Sequence, residues 1–399
     1  MLIIAVGLTT MGPIFHYTGY TVAIIFILFY KKNNIPQIMS DVWHHNKLNI
    51  ILLFILILYL TISYYITATN LSSYLKNISI PLEMCIGVFL SIIILDTKEK
   101  IKTFTNAVAI MMVMTIIFLY IQFYFGYSIR SIYVMTTYYG LGWITCCLAS
   151  YVLYYMFFNK AKKLILDILI LSLLGVSLIT AFSLGTWLAA FCQVCIAIFL
   201  AYRYNPENLQ KKLIYSSILV LAIAALLNFF YKNIILDMFL AQFMQLAAVD
   251  NIHDFTSARN EIWNITCIII RENPWFGTGY DTLFDMYPVY FAKYKEILGL
   301  VVETQFTPHN MYLGMAQESG IPSIILFVLF IISVIYKSLK DICLEENRFK
   351  IITIMYLSSL LILGLTGDHI FYDRRDFAVL CWTAIGLGMI NIKAKYYKD

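Results

Sequence analysis

The chain has 399 residues, 61% of them hydrophobic, a mean hydropathy of +0.79 and 13% charged residues, against about 25% in soluble domains. That balance excludes an ordinary soluble enzyme and points to an integral membrane protein. The net charge of +5 argues for no nucleic-acid partner, because the basic residues sit between apolar segments, where they set topology.

Apolar segments of ~17–25 residues indicate helices, not the alternating strands of an outer-membrane barrel. The expected fold is all-α: a polytopic membrane helical bundle of about 11 (10–12) spans with one large, helical, outward loop. The spans are expected near 3–30, 47–67, 79–95, 105–126, 136–158, 164–182, 185–202, 213–231, 309–336, 349–366 and 376–392. Gly12, Pro13 and His16 interrupt the first, and Gly185 leaves almost no loop between the sixth and seventh. The apolar start runs on without a small-residue cleavage site, so no cleavable signal is expected. The eight cysteines lie mainly in spans; Cys192 and Cys195 form a CxxC inside an apolar helix, where packing is favoured over redox work. No spacing reads as a disulfide framework or a metal site.

Orientation follows from the Lys and Arg distribution. Alternate loops, from Lys31 and Lys32 through Lys98, Lys160, Arg203, Lys337 and Lys350 to the tail Lys393–Lys398, carry 19 of the 28 basic residues. Those loops are expected to be cytoplasmic. The chain then divides into eight spans over 1–231, an outward loop over 232–308, and three spans over 309–399, with the N-terminus outside and the C-terminus inside.

The outward loop carries Trp263, Trp275 and many Tyr and Phe, so it is not disordered by composition. It is the one candidate for a separate subdomain. A helix is expected over 257–272, capped by Ser257 or Thr256 and ended by Asn273-Pro274. Arg259, Trp263, Cys267 and Ile270 share one of its stripes. Gly277-Thr278-Gly279 reads as a turn, and 281–297 as a second amphipathic helix on the bilayer surface. After the loop, Thr307 can cap the next helix, Pro308 suits its first position, and His309 falls in its first turn. An imidazole at a helix start on the rim of a bilayer is a general-base candidate, and free N–H groups there could hold an anion. The bland alternative makes His309 and Asn310 interfacial capping residues.

The guanidinium of Arg259 suits a lipid diphosphate, because its fork of donors matches phosphate oxygens; the alternative is a headgroup contact. Lys293 and Lys295 read as headgroup contacts, and Arg271 with Glu272 as a solvated helix end. Glu318 lies nine residues beyond His309, about 180° around a helix, so it does not share that face. Gly320 and Pro322 should break or bend the helix, and Glu318 is expected to hold that bend. Glu83 and Asp167 lie at membrane depth, either functional or interfacial. Arg130, and Arg374 with Arg375 in the polar stretch 367–376, are further possible contacts to phosphate or sugar.

Taken together, Arg259 with Ile262-Trp263, then Glu272-Asn273-Pro274-Trp275-Phe276-Gly277-Thr278-Gly279, then His309-Asn310 with Glu318 and Gly320, resemble the bacterial O-antigen polymerase and ligase superfamily. The motif block spans residues 256–330, about a fifth of the chain. The resemblance implies an inner-membrane glycosyltransferase whose donor is an oligosaccharide on undecaprenyl diphosphate at the periplasmic face. It implies inversion at the anomeric carbon, with no nucleotide sugar, metal or other cofactor. His309 would activate the acceptor hydroxyl and Arg259 would hold the leaving diphosphate. Asn310, Trp263, Arg130, Arg374 and Arg375 would contact substrate, while Gly277, Gly279 and Glu318 shape the site. Membrane lipid, a chain-length regulator and a flippase would be its partners.

Where the ligases carry an arginine, within Ser183-Leu184-Gly185-Thr186-Trp187, this chain has Leu184. That favours a polymerase over a ligase. A lipid-linked oligosaccharide flippase is the alternative from another class, but it predicts charges spread through several spans, whereas this chain gathers its polar signal on one outer face.

Overall fold

Within lipid, backbone N–H and C=O groups have only one another as partners, so long apolar runs close into helices. The computed structural model describes residues 35–124, 138–158, 184–205, 259–301, 307–367 and 375–392, with the isolated positions 174, 210 and 213. The helices are α1 (Ile35–Thr67), α2 (Leu71–Ile94), α3 (Lys98–Tyr124), α4 (Tyr138–Phe158), α5 (Leu184–Tyr204) and α6 (Arg259–Glu272). They continue with α7 (Leu283–Leu298), α8 (Met311–Ser319), α9 (Ile321–Asp341), α10 (Lys350–Leu363) and α11 (Arg375–Met389). No strand occurs among the described residues. Four helices there (α1, α2, α5 and α9) are long and apolar enough to cross a membrane, and α4 and α10 contain shorter apolar stretches. The span expected near 3–30, and nearly all of 164–182 and 213–231, lie outside the described residues, as do Asp167 and Arg130.

Two boundaries differ from expectation for local reasons. Helix α1 starts at Ile35, not at 47, and is kinked at Asn46, whose φ of −126° and ψ of 31° are not helical. The Asn46 side chain donates to Met389 O at 2.5 Å, so the kink is held by a tertiary bond that no local pattern announces. The expected span over 309–336 is two helices. Gly320 adopts φ 85° and ψ 163°, which ends α8 after nine residues, and Pro322 then opens α9.

The described bundle packs α10 against α5, α4 and α9, and α11 against α2, with α1 beside α2 and α9. Helix α9 turns Phe327, Phe330, Ile331 and Val334 inward and leaves Ile325, Leu329, Ile332 and Tyr336 exposed, as a lipid-facing helix should. Close approach depends on small residues: a Cβ on Gly87 would lie 2.9 Å from Trp382 Cβ, and one on Gly388 would lie 2.7 Å from Val334 Cγ1. In mid-bundle, the buried Gln193 amide donates to Cys146 O, Ser150 Oγ and Ser359 Oγ at 2.8–3.0 Å, tying α5 to α4 and α10. Glu83 is buried in α2.

One end of the bundle is closed by charge. Lys350, completely buried, donates to Asp341 Oδ2 at 2.5 Å; Lys337 lies 3.1 Å from Asp341 Oδ1, and His45 Nε2 lies 3.3 Å from the same carboxylate. The Asn391 amide reaches His45 Nδ1 at 3.2 Å, and the Asn347 amide donates to Asn391 Oδ1 at 2.9 Å. This network joins α1, α9, α10 and the residues after α11. Removing one partner of a buried ion pair costs about 3–5 kcal/mol, whereas an apolar pair in the same space is close to neutral. Asp341→Asn is therefore expected to lower the thermal midpoint of the detergent-purified protein by several degrees. The Asp341→Leu/Lys350→Met double variant should lose less; a larger loss in the double variant would contradict this account.

Candidate active site

Beyond Gly320, at the other end of α9, two polar arrangements bring α6 and the turn that follows it onto the bundle. The first seats the turn between α6 and α7. Thr278 N–H donates to Gln317 O at 2.8 Å, Gly279 N–H to Glu318 O at 3.0 Å, and Ile321 N–H to Pro274 O at 2.8 Å. These bonds satisfy the carbonyls and the amide that the break at Gly320 leaves without helical partners. The contact is close enough to require glycine on both sides: a Cβ on Gly277 (φ 67°) would lie 2.4 Å from Glu318 C, and one on Gly320 would lie 2.0 Å from Trp275 O. From α1, Tyr59 donates to Trp275 O and Ser63 donates to Phe276 O at 2.8 Å. Glu318, 4% exposed, accepts from Asp281 N–H at 3.2 Å, so its carboxylate holds the docked turn. Gly279, at φ 103°, completes that turn.

Behind the turn, Ile262, Ile265 and Ile269 of α6 pack on Leu283, Tyr287 and Phe291 of α7. The buried stripe of α6 is thus that of Ile262, Ile265 and Ile269, while Cys267, on the stripe of Arg259 and Trp263, is exposed. Because α7 packs across α6, burial is centred on the isoleucines. The buried carboxylate of Glu261 accepts from Val301 N–H at 2.7 Å. Burial and, secondarily, the charge of Glu261 push the Tyr287 hydroxyl up to about 12. Lys293 and Lys295 are exposed, and Tyr290 donates to the exposed Glu272. The turn between α6 and α7 thus rests on α1, α8 and α9.

The second arrangement gathers around the carbonyls of the turn that follows α10. Gly364 O accepts from Met311 N–H at 2.7 Å, Leu365 O from the Asn310 amide at 3.1 Å, and Thr366 O from Arg259 Nη1 at 2.9 Å. A guanidinium at the negative end of a helix dipole is favourably placed. The start of α5 reaches the same point, because a Cβ on Gly185 would lie 1.8 Å from Thr366 Oγ1.

His309 sits between two anchored neighbours. On one side, Trp263 Nε1 donates to Pro308 O at 2.8 Å. On the other, Asn310 is the N-cap of α8, its Oδ1 accepting from Tyr312 N–H and Leu313 N–H at 3.0 and 3.1 Å. The helix therefore starts later than expected: Thr307 is not its cap, Pro308 is not its first residue, and His309 precedes it. The Asn310 side chain supplies the cap, which leaves His309 at φ 49°. A left-handed conformation is uncommon for any residue but glycine and often accompanies function. His309 Nδ1 lies 3.5 Å from Thr307 Oγ1.

Of the expected site residues, Arg259, Trp263, His309, Asn310, Gly277, Gly279 and Glu318 are thus brought into one connected region. Arg130 and Arg374 lie outside the described residues, and Arg375 is described only as the first residue of α11. The three carbonyls at 364–366 were not foreseen, because a backbone acceptor has no signature in sequence.

Residues 168–328 match the O-antigen ligase family. The match covers about two fifths of the chain and supports the O-antigen ligase and polymerase superfamily. It takes in α5 to α8 and the start of α9, hence Arg259, Trp263, the docked turn, His309, Asn310 and Glu318, but not the carbonyls at the end of α10. The family comprises glycosyltransferase-like enzymes, and with the apolar helices it marks an integral membrane protein. No curated protein matches the chain significantly.

Because Gly320 and Gly277 meet backbone atoms, neither site can admit a methyl group by a side-chain shift. Gly320→Ala is expected to cost at least about 2 kcal/mol from its backbone conformation and the clash, and to release the turn. Limited proteolysis between 273 and 282 would report that release. Wild-type resistance in Gly320→Ala would show that the turn is not seated this way.

Proposed function

We propose that the chain is an O-antigen polymerase, transferring undecaprenyl-diphosphate-linked glycan to the non-reducing end of another lipid-linked repeat unit at the periplasmic face. The observation that carries the reading is the clamping of His309 on both sides, in a left-handed backbone, within the arrangement that also anchors Arg259. In this reaction the acceptor oxygen attacks the anomeric carbon as the bond from that carbon to the diphosphate oxygen breaks. The electron pair leaves on undecaprenyl diphosphate, and His309 takes the hydroxyl proton. Attack from the opposite face inverts the centre.

Arg259 answers the larger electrostatic demand, the charge developing on the leaving diphosphate. Its Nη1 bond to Thr366 O holds the plane of the fork, and the fork geometry rather than mere charge suits two phosphate oxygens. The basic loops support a cytoplasmic placement for the end closed by Asp341 and Lys350. The outward loop, His309 and the N-terminus would then be periplasmic, in an inner membrane crossed by about eleven helices. Within this frame the outward loop, 232–308, divides the N-terminal helices of 1–231 from the C-terminal helices of 309–399. A chain-length regulator and a flippase are the expected partners, with membrane lipid around the bundle.

The second reading, a ligase that moves finished polymer to lipid A-core, is favoured by the description of the matched family. Leu184 favours the polymerase, since the start of α5 abuts Thr366 and lacks the arginine that the ligases place there.

A deletion strain analysed by glycan gel separates the two. Single repeat units on lipid A-core indicate a lost polymerase, and polymer retained on the lipid carrier would instead establish the ligase. In the complemented strain, His309→Ala should abolish polymer while the protein remains in the membrane; long-chain glycan in that variant would remove the general-base role. Arg259→Lys should lower turnover about 100-fold or more, because an ammonium does not replace the fork. Unchanged glycan in Arg259→Lys would make the residue a headgroup contact.

A further inference from the structure

An aromatic residue beside a glycan-processing site invites the reading of a sugar-stacking platform, and that is how Trp263 presents itself in sequence. Its geometry argues otherwise. An indole has a single donor, and Trp263 commits it to Pro308 O at 2.8 Å, across 45 residues of sequence. We propose that Trp263 is a positioning residue for His309, acting through the peptide plane that joins Pro308 to His309; the proposal rests on reading His309 as the general base.

The mechanical argument is short. A peptide unit is planar, so holding the carbonyl oxygen of Pro308 also holds the nitrogen of His309 and the axis on which its Cα turns. Proline has no N–H, so that carbonyl is the sole backbone handle on residue 308. Beyond His309, Asn310 is pinned by its cap bonds to Tyr312 and Leu313 and by its amide on Leu365 O. With both flanking units held, His309 is kept at φ 49°, a conformation that an unrestrained histidine would leave. Without the indole bond, the preceding plane loses this tether, and relaxation out of the left-handed region would swing the imidazole away from the acceptor hydroxyl.

The same helix does more than hold one residue. Arg259 and Trp263 are four residues apart on α6, about one turn, and their bonds run to Thr366 O and Pro308 O. One rigid helix therefore sets the guanidinium and the histidine backbone together. In a reaction that needs the base on the acceptor and the cation on the leaving group, that coupling matters more than either bond alone, since a displacement of about 1 Å can cost ~100-fold in rate.

The test replaces Trp263 by β-(3-benzothienyl)alanine, which keeps the shape and substitutes sulfur for the indole N–H, alongside Trp263→Phe. Full-length protein in nanodiscs is assayed with the lipid-linked repeat unit extracted from the deletion strain, and thermal unfolding confirms folding. The expected result is a kcat reduced roughly 10- to 100-fold with KM within about twofold of wild type, in the benzothienyl variant as in Trp263→Phe. Unchanged kcat with a raised KM would overturn the proposal in favour of a stacking platform, and unchanged kcat and KM would make the bond incidental. Retained turnover in His309→Ala would instead defeat the general-base reading itself, so the two failures are distinguishable.

Discussion

Everything at the candidate site hangs on the carbonyl groups of the turn, 364–366, that follows helix α10. The last carbonyls of α10 are met locally, Leu360 O, Ile362 O and Leu363 O by the N–H groups of Gly364, Leu365 and Thr366. The carbonyls of that turn, however, must find donors elsewhere in the chain. Gly364, Leu365 and Thr366 receive the amide of Met311, the side chain of Asn310 and the guanidinium of Arg259. One structural debt thus draws the start of α8 and the start of α6 to the same place. The start of α5 reaches it too, at Gly185.

A second constraint supports the first. The break at Gly320 exposes backbone groups of residues 317–321, and the turn 273–282 docks on them by main-chain hydrogen bonds. Backbone-to-backbone docking demands glycine where the chains touch, which accounts for Gly277 and Gly320, and it fixes the turn between α6 and α7 to α1, α8 and α9. A loop anchored in this way can hold Arg259 and Trp263 to a defined geometry. The far end of the bundle uses a different solution, a buried carboxylate shared by two lysines and a histidine, which closes the helices where no site is needed.

Much was legible in the residues themselves. The helical membrane architecture followed from hydropathy, and both loop helices from amphipathic patterning and the Asn273-Pro274 stop. The break near Gly320 followed from glycine and proline, and the candidate region from the order Arg259, turn, His309. What was not legible was which partner each polar group would take. The expected cap at Thr307 was locally reasonable, yet Asn310 won because its carboxamide can both cap α8 and reach Leu365 O. Glu318 was expected to serve the bend, and its carboxylate accepts from Asp281 N–H in the docked turn. For Trp263 the sequence left the partner of its N–H open, and in the fold it is Pro308 O.

The division has a physical basis. Hydrophobic length, helix periodicity and helix breaking are properties of a segment and its solvent, so residues near one another in sequence determine them. The sequence by itself therefore determined an α-helical membrane chain with two amphipathic helices between its apolar segments and a family-like motif that includes the first of them. Hydrogen bonds to carbonyls, close approach at glycine and the backbone conformation of His309 depend on groups brought from distant positions, and a carbonyl oxygen is the same on every residue. Only the tertiary structure could decide that Thr366, Leu365 and Pro308 are the oxygens that organise this site.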